Sequence, residues 1–85
     1  MNGNYRDVTE EFTRAAEAIS LGESINIFRT SNGISKKELA KRLGVTTQYI
    51  AQVEADAVLL DAQFIPTIAD FLDMPEGIII RRMRG

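Results

Sequence analysis

The sequence contains no cysteine and no histidine. Without cysteine the chain forms neither a disulfide framework nor a thiolate metal site, and the missing histidine removes the commonest metal ligand and the commonest general base. The serine, aspartate and lysine residues show no pairing of a nucleophile with a base. We therefore predict a protein that is not an enzyme and that needs no metal and no cofactor.

Long apolar runs are missing too. No stretch approaches the roughly 18 apolar residues of a membrane span, and the N-terminus, Met-Asn-Gly-Asn-Tyr-Arg-Asp, is too polar for a signal peptide. We therefore expect a cytoplasmic protein that does not contact a membrane. Its 85 residues suffice for one small domain. Because so small a domain gains stability when subunits associate, we also expect a homodimer.

Charge is distributed unevenly along the chain, although the net charge is only −2. Residues 29–52 contain five basic residues and one acidic residue, whereas residues 53–80 contain six acidic residues and no basic one. Proteins that bind nucleic acids concentrate basic side chains on one surface. The negative net charge therefore does not exclude a nucleic-acid partner, because residues 29–52 form a positive segment.

Residues 35–54 contain start and stop signals for two short helices. Ser35 and Glu38 have the spacing of a capping box, which predicts the start of the first helix. Gly44 predicts a left-handed exit from that helix, and Thr46 predicts the cap of the second. Two capped helices that are joined so closely must cross steeply.

Small and apolar residues predict how these two helices pack. Ala40 faces the crossing, where a small side chain lets the helices approach. The predicted structural core of this helix-turn-helix consists of Leu39, Ala40, Leu43, Gly44, Val45, Ile50 and Val53.

The spacing of four of these residues is specific. The pattern begins with the small residue Ala40, and Gly44 follows four positions later. Two aliphatic residues complete it: Ile50, six positions after the glycine, and Val53, three positions further on. This pattern resembles the helix-turn-helix of the Xre/Cro family, the bacterial and phage transcriptional regulators of lambda-repressor type. Residues 21–28 are similar to the family's first helix, and residues 64–72 are similar to its fourth.

The resemblance implies an all-α fold, a compact bundle of five or six short helices, and the helical periodicity of the chain agrees with it. It also implies a sequence-specific DNA-binding transcriptional regulator. We expect a homodimeric repressor that reads a palindromic operator in double-stranded DNA through the helix at 47–54. The alternative is a protein-interaction module on the same fold, antitoxin-like or antirepressor-like, with weak or no independent DNA binding.

Polar side chains occupy the outward positions of the second helix. Those predicted to read bases are Thr47, Gln48, Tyr49 and Gln52. A glutamine amide can bond bidentately to adenine, and a threonine methyl group can pack on thymine. In the family, the first residue of the preceding helix commonly touches a phosphate, and Lys36 occupies that position. The residues predicted to bind phosphates are Lys36, Lys37, Thr46 and Arg29.

Glu54 ends the second helix, where the family frequently has a glutamate, and we predict that it pairs with another side chain inside the protein. An apolar loop follows at 57–60. Its residues Val58, Leu59 and Leu60 either fold inward onto the aromatic residues of the next helix or contact another protein.

The N-terminal part of the chain lies outside the resemblance. Residues 1–20 are predicted to be a helical extension, and residues 21–85 are predicted to be the DNA-binding domain. One helical face of the extension carries Val8, Phe12, Ala15 and Ile19. This helix, which the sequence starts at Asp7, either runs on into the next helix or bends near Gly22.

Three isoleucines stand near the C-terminus. Ile78, Ile79 and Ile80 belong either to a last helix, which Asp73 and Glu76 start with a capping box, or to a short β-strand. The pattern leaves both open. We also predict a dimer contact here, because one helix cannot direct all three side chains into the same core.

Overall fold

A computed structural model describes residues 19–83 of the chain. In them the chain forms five α-helices, numbered α1 to α5 here, and one short 3₁₀ helix, and it forms no strand. The bounds are Leu21–Ser31 for α1, Lys36–Leu43 for α2, Thr47–Glu54 for α3, Ala62–Phe64 for the 3₁₀ helix, Ile65–Leu72 for α4 and Glu76–Met83 for α5. The predicted all-α fold is confirmed. The predicted helix with Val8, Phe12 and Ala15 lies outside the described residues.

α1 begins as a separate helix. Ser20 has an extended backbone, with φ −68° and ψ 164°, and its hydroxyl oxygen accepts a hydrogen bond from the Glu23 backbone N–H. An extended residue interrupts a helix, so no continuous helix runs through Ser20, and this interruption lies two residues before Gly22. Of the two alternatives drawn from the sequence, the helix that runs on uninterrupted was wrong, because the cap at Ser20 outweighs the apolar spacing that continues through it.

The signals around the central turn act as predicted. Ser35 and Glu38 make both bonds of a capping box at the start of α2, at 3.0 and 3.1 Å. Gly44 leaves α2 in the left-handed conformation, with φ 73° and ψ 33°, where a side chain is strained. The Thr46 hydroxyl oxygen then accepts from the Tyr49 backbone N–H at 3.0 Å and starts α3. Two helices of eight residues are thus joined through a single tight turn.

Four helices end in the same way. In each, the left-handed residue just beyond the helix and its successor donate backbone hydrogen bonds to carbonyl oxygens of the last turn, which is the Schellman pattern. The left-handed residues at these exits are Gly33, Gly44, Asp56 and Asp73. Asp73 therefore terminates α4 rather than starting α5, which corrects the predicted capping box with Glu76.

The C-terminal isoleucines lie on a helix, α5, and not on a strand. Ile79 is fully buried in the core, Ile78 is half-buried, and Ile80 is 40% exposed. The helix packs against both α1 and α4. Only one of the three isoleucines therefore points clearly towards solvent.

The helices enclose one apolar core. α2 and α3 pack against each other, and α3 also packs against α1. The buried apolar residues are Leu21, Ile25, Leu39, Ala40, Ile50, Val53, Leu60, Ile65, Ile68, Ala69, Phe71, Leu72 and Ile79. Leu43 and Val45 are partly buried against this core. Within residues 19–83, every helix is too short or too polar to cross a membrane.

Gly22 marks the closest approach between helices α1 and α3. A Cβ atom added at this position would overlap the Val53 carbonyl oxygen and would lie 2.7 Å from the Glu54 carbonyl oxygen. Both obstacles are backbone atoms, which cannot rotate away. The absence of a side chain at Gly22 therefore sets how closely the start of α1 packs on the end of α3.

Candidate nucleic-acid interface

The first turns of α3 present a polar face to solvent. Thr47, Gln48 and Gln52 are exposed, whereas Ile50 and Val53 point into the core. Gln48 and Gln52 are four residues apart and so present their amides on the same side of the helix. A helix with this arrangement at its N-terminal end suits the major groove of DNA, where side-chain amides can bond to base edges.

Tyr49, the remaining residue predicted to read bases, also has a role within the fold. Its hydroxyl oxygen accepts a hydrogen bond from the Asp61 backbone N–H at 2.9 Å. Its ring lies against Phe64, with the centroids 6.0 Å apart. The side chain is half-buried and connects α3 to the loop that follows. The phenolic hydrogen itself can still be donated.

α2 carries the basic residues beside this face. Lys37, Lys41 and Arg42 are exposed, and Lys36 is half-buried. Lys36 and Lys37 stand in the first turn, where the helix macrodipole disfavours cations. An anion bound nearby would offset that cost. The Arg42 guanidinium lies over the Phe71 ring, 5.5 Å from its centroid, so part of its attraction is directed at the aromatic face.

Thr46 lies between the two helices and is exposed. Its hydroxyl oxygen accepts the capping hydrogen bond from Tyr49, and the hydroxyl hydrogen can still be donated. A phosphate at the start of α3 would therefore meet one hydroxyl donor and the positive end of the α3 macrodipole.

Arg29 lies inside the protein, which corrects its predicted contact with phosphate. The guanidinium donates to Glu54 from Nε at 2.7 Å and from Nη2 at 3.0 Å, and Nη1 donates to the Ile34 carbonyl oxygen at 2.9 Å. Such a bidentate pair uses the edge of the guanidinium that would otherwise grip a phosphate. The residue joins α1, the α1–α2 turn and α3.

Glu54 is the internal partner that its position predicts. Burial by itself raises the pKa of this carboxyl group, but hydrogen bonds from Arg29 and Asn26 and the positive charges of Arg29 and Lys36 together lower the pKa below its usual value. The hydrogen bond to Glu54 raises the pKa of Arg29. The pair therefore stays ionised at neutral pH and holds the end of α3 against α1.

Sequence reasoning missed Asn26. Its amide nitrogen donates to Glu54 Oε1 at 2.9 Å, which makes it the third member of this cluster. Asn26 precedes Arg29 by three residues and so lies on the same face of α1. The spacing of Asn26 and Arg29 could therefore have identified Asn26 as a candidate partner, because Glu54 was already predicted to pair inside the protein. No spacing rule, by contrast, links Arg29 to Glu54, which is 25 residues away.

The loop after α3 divides between the core and the surface. Leu60 is buried, whereas Leu59 is 73% exposed and Val58 is partly exposed. The inward alternative therefore holds for Leu60, and a contact of Leu59 with another protein stays a prediction. Leu59 lines a shallow apolar groove together with Ile65, Ile80 and Met83. We call these four residues the Leu59 groove.

Comparison with known proteins agrees with this geometry. Residues 25–79 match the family model described as Helix-turn-helix, of the Xre/Cro-like type. The matched segment begins within α1 and ends within α5. Domains of this kind are DNA-binding and regulatory and are not typically enzymatic. No curated protein matches the chain.

Proposed function

The chain belongs to the Xre/Cro-like helix-turn-helix family of DNA-binding transcription regulators, and we propose that it reads specific DNA sequences with the exposed face of α3. The observation that carries the proposal is the position of Gln48 and Gln52, which are both exposed on the side of α3 opposite its buried residues. Thr47 extends this surface towards the start of the helix. An amide in the major groove distinguishes adenine from the other bases.

Phosphate contacts position the recognition helix in this proposal. Lys36 and Lys37 at the start of α2, and Thr46 at the start of α3, are the proposed partners of the DNA backbone. Contacts of this kind release counterions and contribute affinity that depends on salt and not on sequence. Arg29 is left out of this set because its guanidinium is bound to Glu54.

We further propose that the protein is a homodimeric repressor in the cytoplasm. One α3 helix reads few base pairs, whereas a two-fold pair of such helices reads two half-sites about 34 to 36 Å apart on one palindromic operator. Among the isoleucines near the C-terminus, Ile80 is the proposed contact, because Ile79 belongs to the core and Ile80 lies in the exposed Leu59 groove.

Selection from a randomised pool of duplex DNA tests the proposal most directly. Bound sequences should share a palindromic site, and affinity for that site should fall steeply as salt is raised. Gln48→Ala and Gln52→Ala should then reduce discrimination at particular base pairs by about 1 to 3 kcal/mol. If both glutamine variants kept the sequence preference of the parent, α3 would not read bases through these residues.

Lysine variants separate backbone contacts from base contacts. Lys36→Ala and Lys37→Ala should each weaken binding to all sequences alike and reduce the salt slope by about one. A matched control is Lys41→Ala, which removes the same charge from the last turn of α2, where the helix dipole already accounts for a cation. Equal losses for all three lysines would argue for a diffuse positive surface and against specific phosphate contacts.

A protein-interaction module remains the second candidate, because the loop after α3 is unusual for a DNA contact. Asp56 and Asp61 flank an exposed Leu59, and phosphates would repel both carboxylates. Such a protein would bind another protein through this loop and would bind DNA weakly. Failure to bind any duplex at low salt would favour this candidate over the first.

A further inference from the structure

A second apolar groove lies along α1, at the point where the described part of the chain begins. We call it the α1 groove. Its apolar lining consists of Ile19, Ile27, Phe28, Leu72 and Met74. Ile27 is 48% exposed, so this apolar lining is open to solvent. The chain enters the described fold directly from this groove, since Ile19 is part of its lining.

The eighteen residues before Ile19 carry a matching apolar stripe. Val8, Phe12 and Ala15 recur at intervals of four and three residues, and Ile19 follows after four more. This spacing places all four on one face of a helix. Twelve helical residues span about 18 Å, and the 11 residues of α1 span about 16 Å, so a helix at 7–18 has the length of the groove's α1 wall.

The spacing on α1 mirrors that stripe. Three groove residues of α1 follow Ser20 at regular intervals: Ser24 comes four residues after it, Ile27 three residues later and Ser31 four residues after that. Going backward from Ile19, the stripe residues Ala15, Phe12 and Val8 are separated by the same intervals of four, three and four. In an antiparallel helical hairpin with its turn at Ile19 and Ser20, each residue of one stripe therefore faces its counterpart in the other.

We propose that residues 7–18 form a helix that folds back on α1 and fills the α1 groove. Phe12 packs on Ile27, the small Ala15 lies over the small Ser24, and Val8 lies over Ser31. Ser20 makes the reversal possible because it is extended and caps α1. The occupant is a segment of the same chain, so the groove is part of one folded unit and is not a site for a partner.

Charge supports this choice of occupant. Residues 1–18 contain two basic and four acidic residues. Arg82 lines the groove, where its guanidinium Nη1 donates to the Ser24 hydroxyl at 2.7 Å. An acidic segment laid along this wall meets a basic side chain. The arrangement gives the small domain further apolar burial, which a chain of this length needs.

Paired cysteines test the register, because the parent has no cysteine to interfere. Val8→Cys with Ser31→Cys replaces two residues of similar size at facing positions. Glu10→Cys with Ser31→Cys is the control, since Glu10 lies on the opposite face of the same helix. Mild oxidation should close an intramolecular disulfide at least about tenfold faster in the first pair. Equal rates in both pairs would overturn the proposal, as would a disulfide formed mainly between two chains.

A double-mutant cycle in the full chain tests the same contact without a cross-link. Phe12→Ala should lower the midpoint of denaturation in the parent, and this shift should largely disappear in an Ile27→Ala background, because the partner side chain is already gone. Arg14→Ala, on the outer face, should leave the midpoint unchanged in both backgrounds. Fully additive shifts for Phe12→Ala and Ile27→Ala would show that the two side chains do not meet. A coupling that grows with protein concentration would assign the groove to a second copy and would also overturn the fold-back.

Discussion

Arg29 and Glu54 form an ion pair that is largely removed from water, with 9% and 4% of their side chains exposed. A buried pair of this kind is most sensitive to the loss of one partner, since the remaining charge is left without compensation. We predict that Glu54→Gln lowers the free energy of unfolding at pH 7 by about 3 kcal/mol, measured by urea denaturation. Glu23→Gln, which makes the same change at an exposed position of α1, should cost no more than about 0.5 kcal/mol.

The same pair predicts a pH dependence of stability. The pKa of Glu54 is lower in the folded protein than in the unfolded chain, so its contribution to stability is fully present above the unfolded pKa, which is about 4.3. The contribution is lost as pH falls through the lower folded pKa. Stability of the parent should therefore decrease below about pH 5, and the difference between the parent and Glu54→Gln should narrow there. A difference that stays constant down to pH 3 would contradict this assignment.

Asp73 carries a local strain that glycine would relieve. It leaves α4 in the left-handed conformation, with φ 55°, where most residues other than glycine are strained. We predict that Asp73→Gly raises the free energy of unfolding by about 0.5 to 1 kcal/mol. Asp70→Gly serves as the control. Asp70 lies within α4, where glycine should cost about 1 kcal/mol. If both substitutions destabilised equally, the exit at Asp73 would not be strained.

Single residues also show where sequence reasoning reaches its limit. Gly44 and Thr46 act through bonds to atoms a few positions away, and their roles were predicted correctly. The role of Arg29 depends on Glu54, which the fold brings to it from 25 residues further along the chain. A local pattern shows that Arg29 is basic and near the end of a helix, but it cannot show that the guanidinium is buried.

At the level of elements, the packing of α1 on α3 depends on the missing side chain of Gly22. We predict that Gly22→Ala lowers the free energy of unfolding by about 2 kcal/mol, because the added methyl group meets backbone carbonyl oxygens of Val53 and Glu54. Thermal denaturation would measure the effect. The control is Gly77→Ala in α5, where the added methyl group meets nothing within 4 Å.

The control should change stability in the opposite direction. Alanine is favoured over glycine within a helix by about 1 kcal/mol, so Gly77→Ala should raise the melting temperature. A Gly22→Ala variant that melts with the parent would mean that α1 and α3 can separate at no cost. The sequence did not predict this contact, because the number of residues between Gly22 and Val53 gives no hint that the two helices touch there.

The helices themselves were largely predictable. Capping residues, C-terminal glycine and apolar periodicity predicted α2 and α3 at close to their observed bounds. These signals all act within one or two helical turns. The sequence did not distinguish a last helix from a strand, because three consecutive isoleucines suit a strand as well as a buried helix. Contacts of α5 with α1 and α4 decide that case, and they are tertiary contacts.

For the whole molecule, the proposed assembly depends on the exposed isoleucine of α5. We predict that Ile80→Asp weakens the proposed dimer, because it places a charge in the Leu59 groove while the buried Ile79 still anchors α5. Sedimentation equilibrium should show a shift towards monomer, and operator binding should weaken in parallel. Thr67→Asp is the control, since Thr67 is exposed and lies two positions from Ile65, on the other side of α4. A parent that stays monomeric at high micromolar concentration, both free and on DNA, would remove the dimer from the proposal.

The family and the all-α fold could be read from the chain, and the assembly could not. The helix-turn-helix pattern at residues 40–53 is dense enough to identify the family, because a tight turn between two packed helices permits few residue types at those positions. The two apolar grooves depend on which side chains the finished core leaves outside. Ile27 and Ile80 have the same apolar character as the buried Ile25 and Ile79, so composition does not separate them.

The ends of the first three helices are encoded by residues within or next to each helix, and this favours fast folding. Each of the first three helices carries its own cap, at Ser20, Ser35 and Thr46, and each ends in a turn closed by its own backbone bonds. Much of the architecture can therefore form before distant segments meet. Formation of the folding nucleus from the unfolded chain then costs little loop-closure entropy. We expect refolding on a timescale of roughly microseconds to milliseconds, with α2 and α3 forming early.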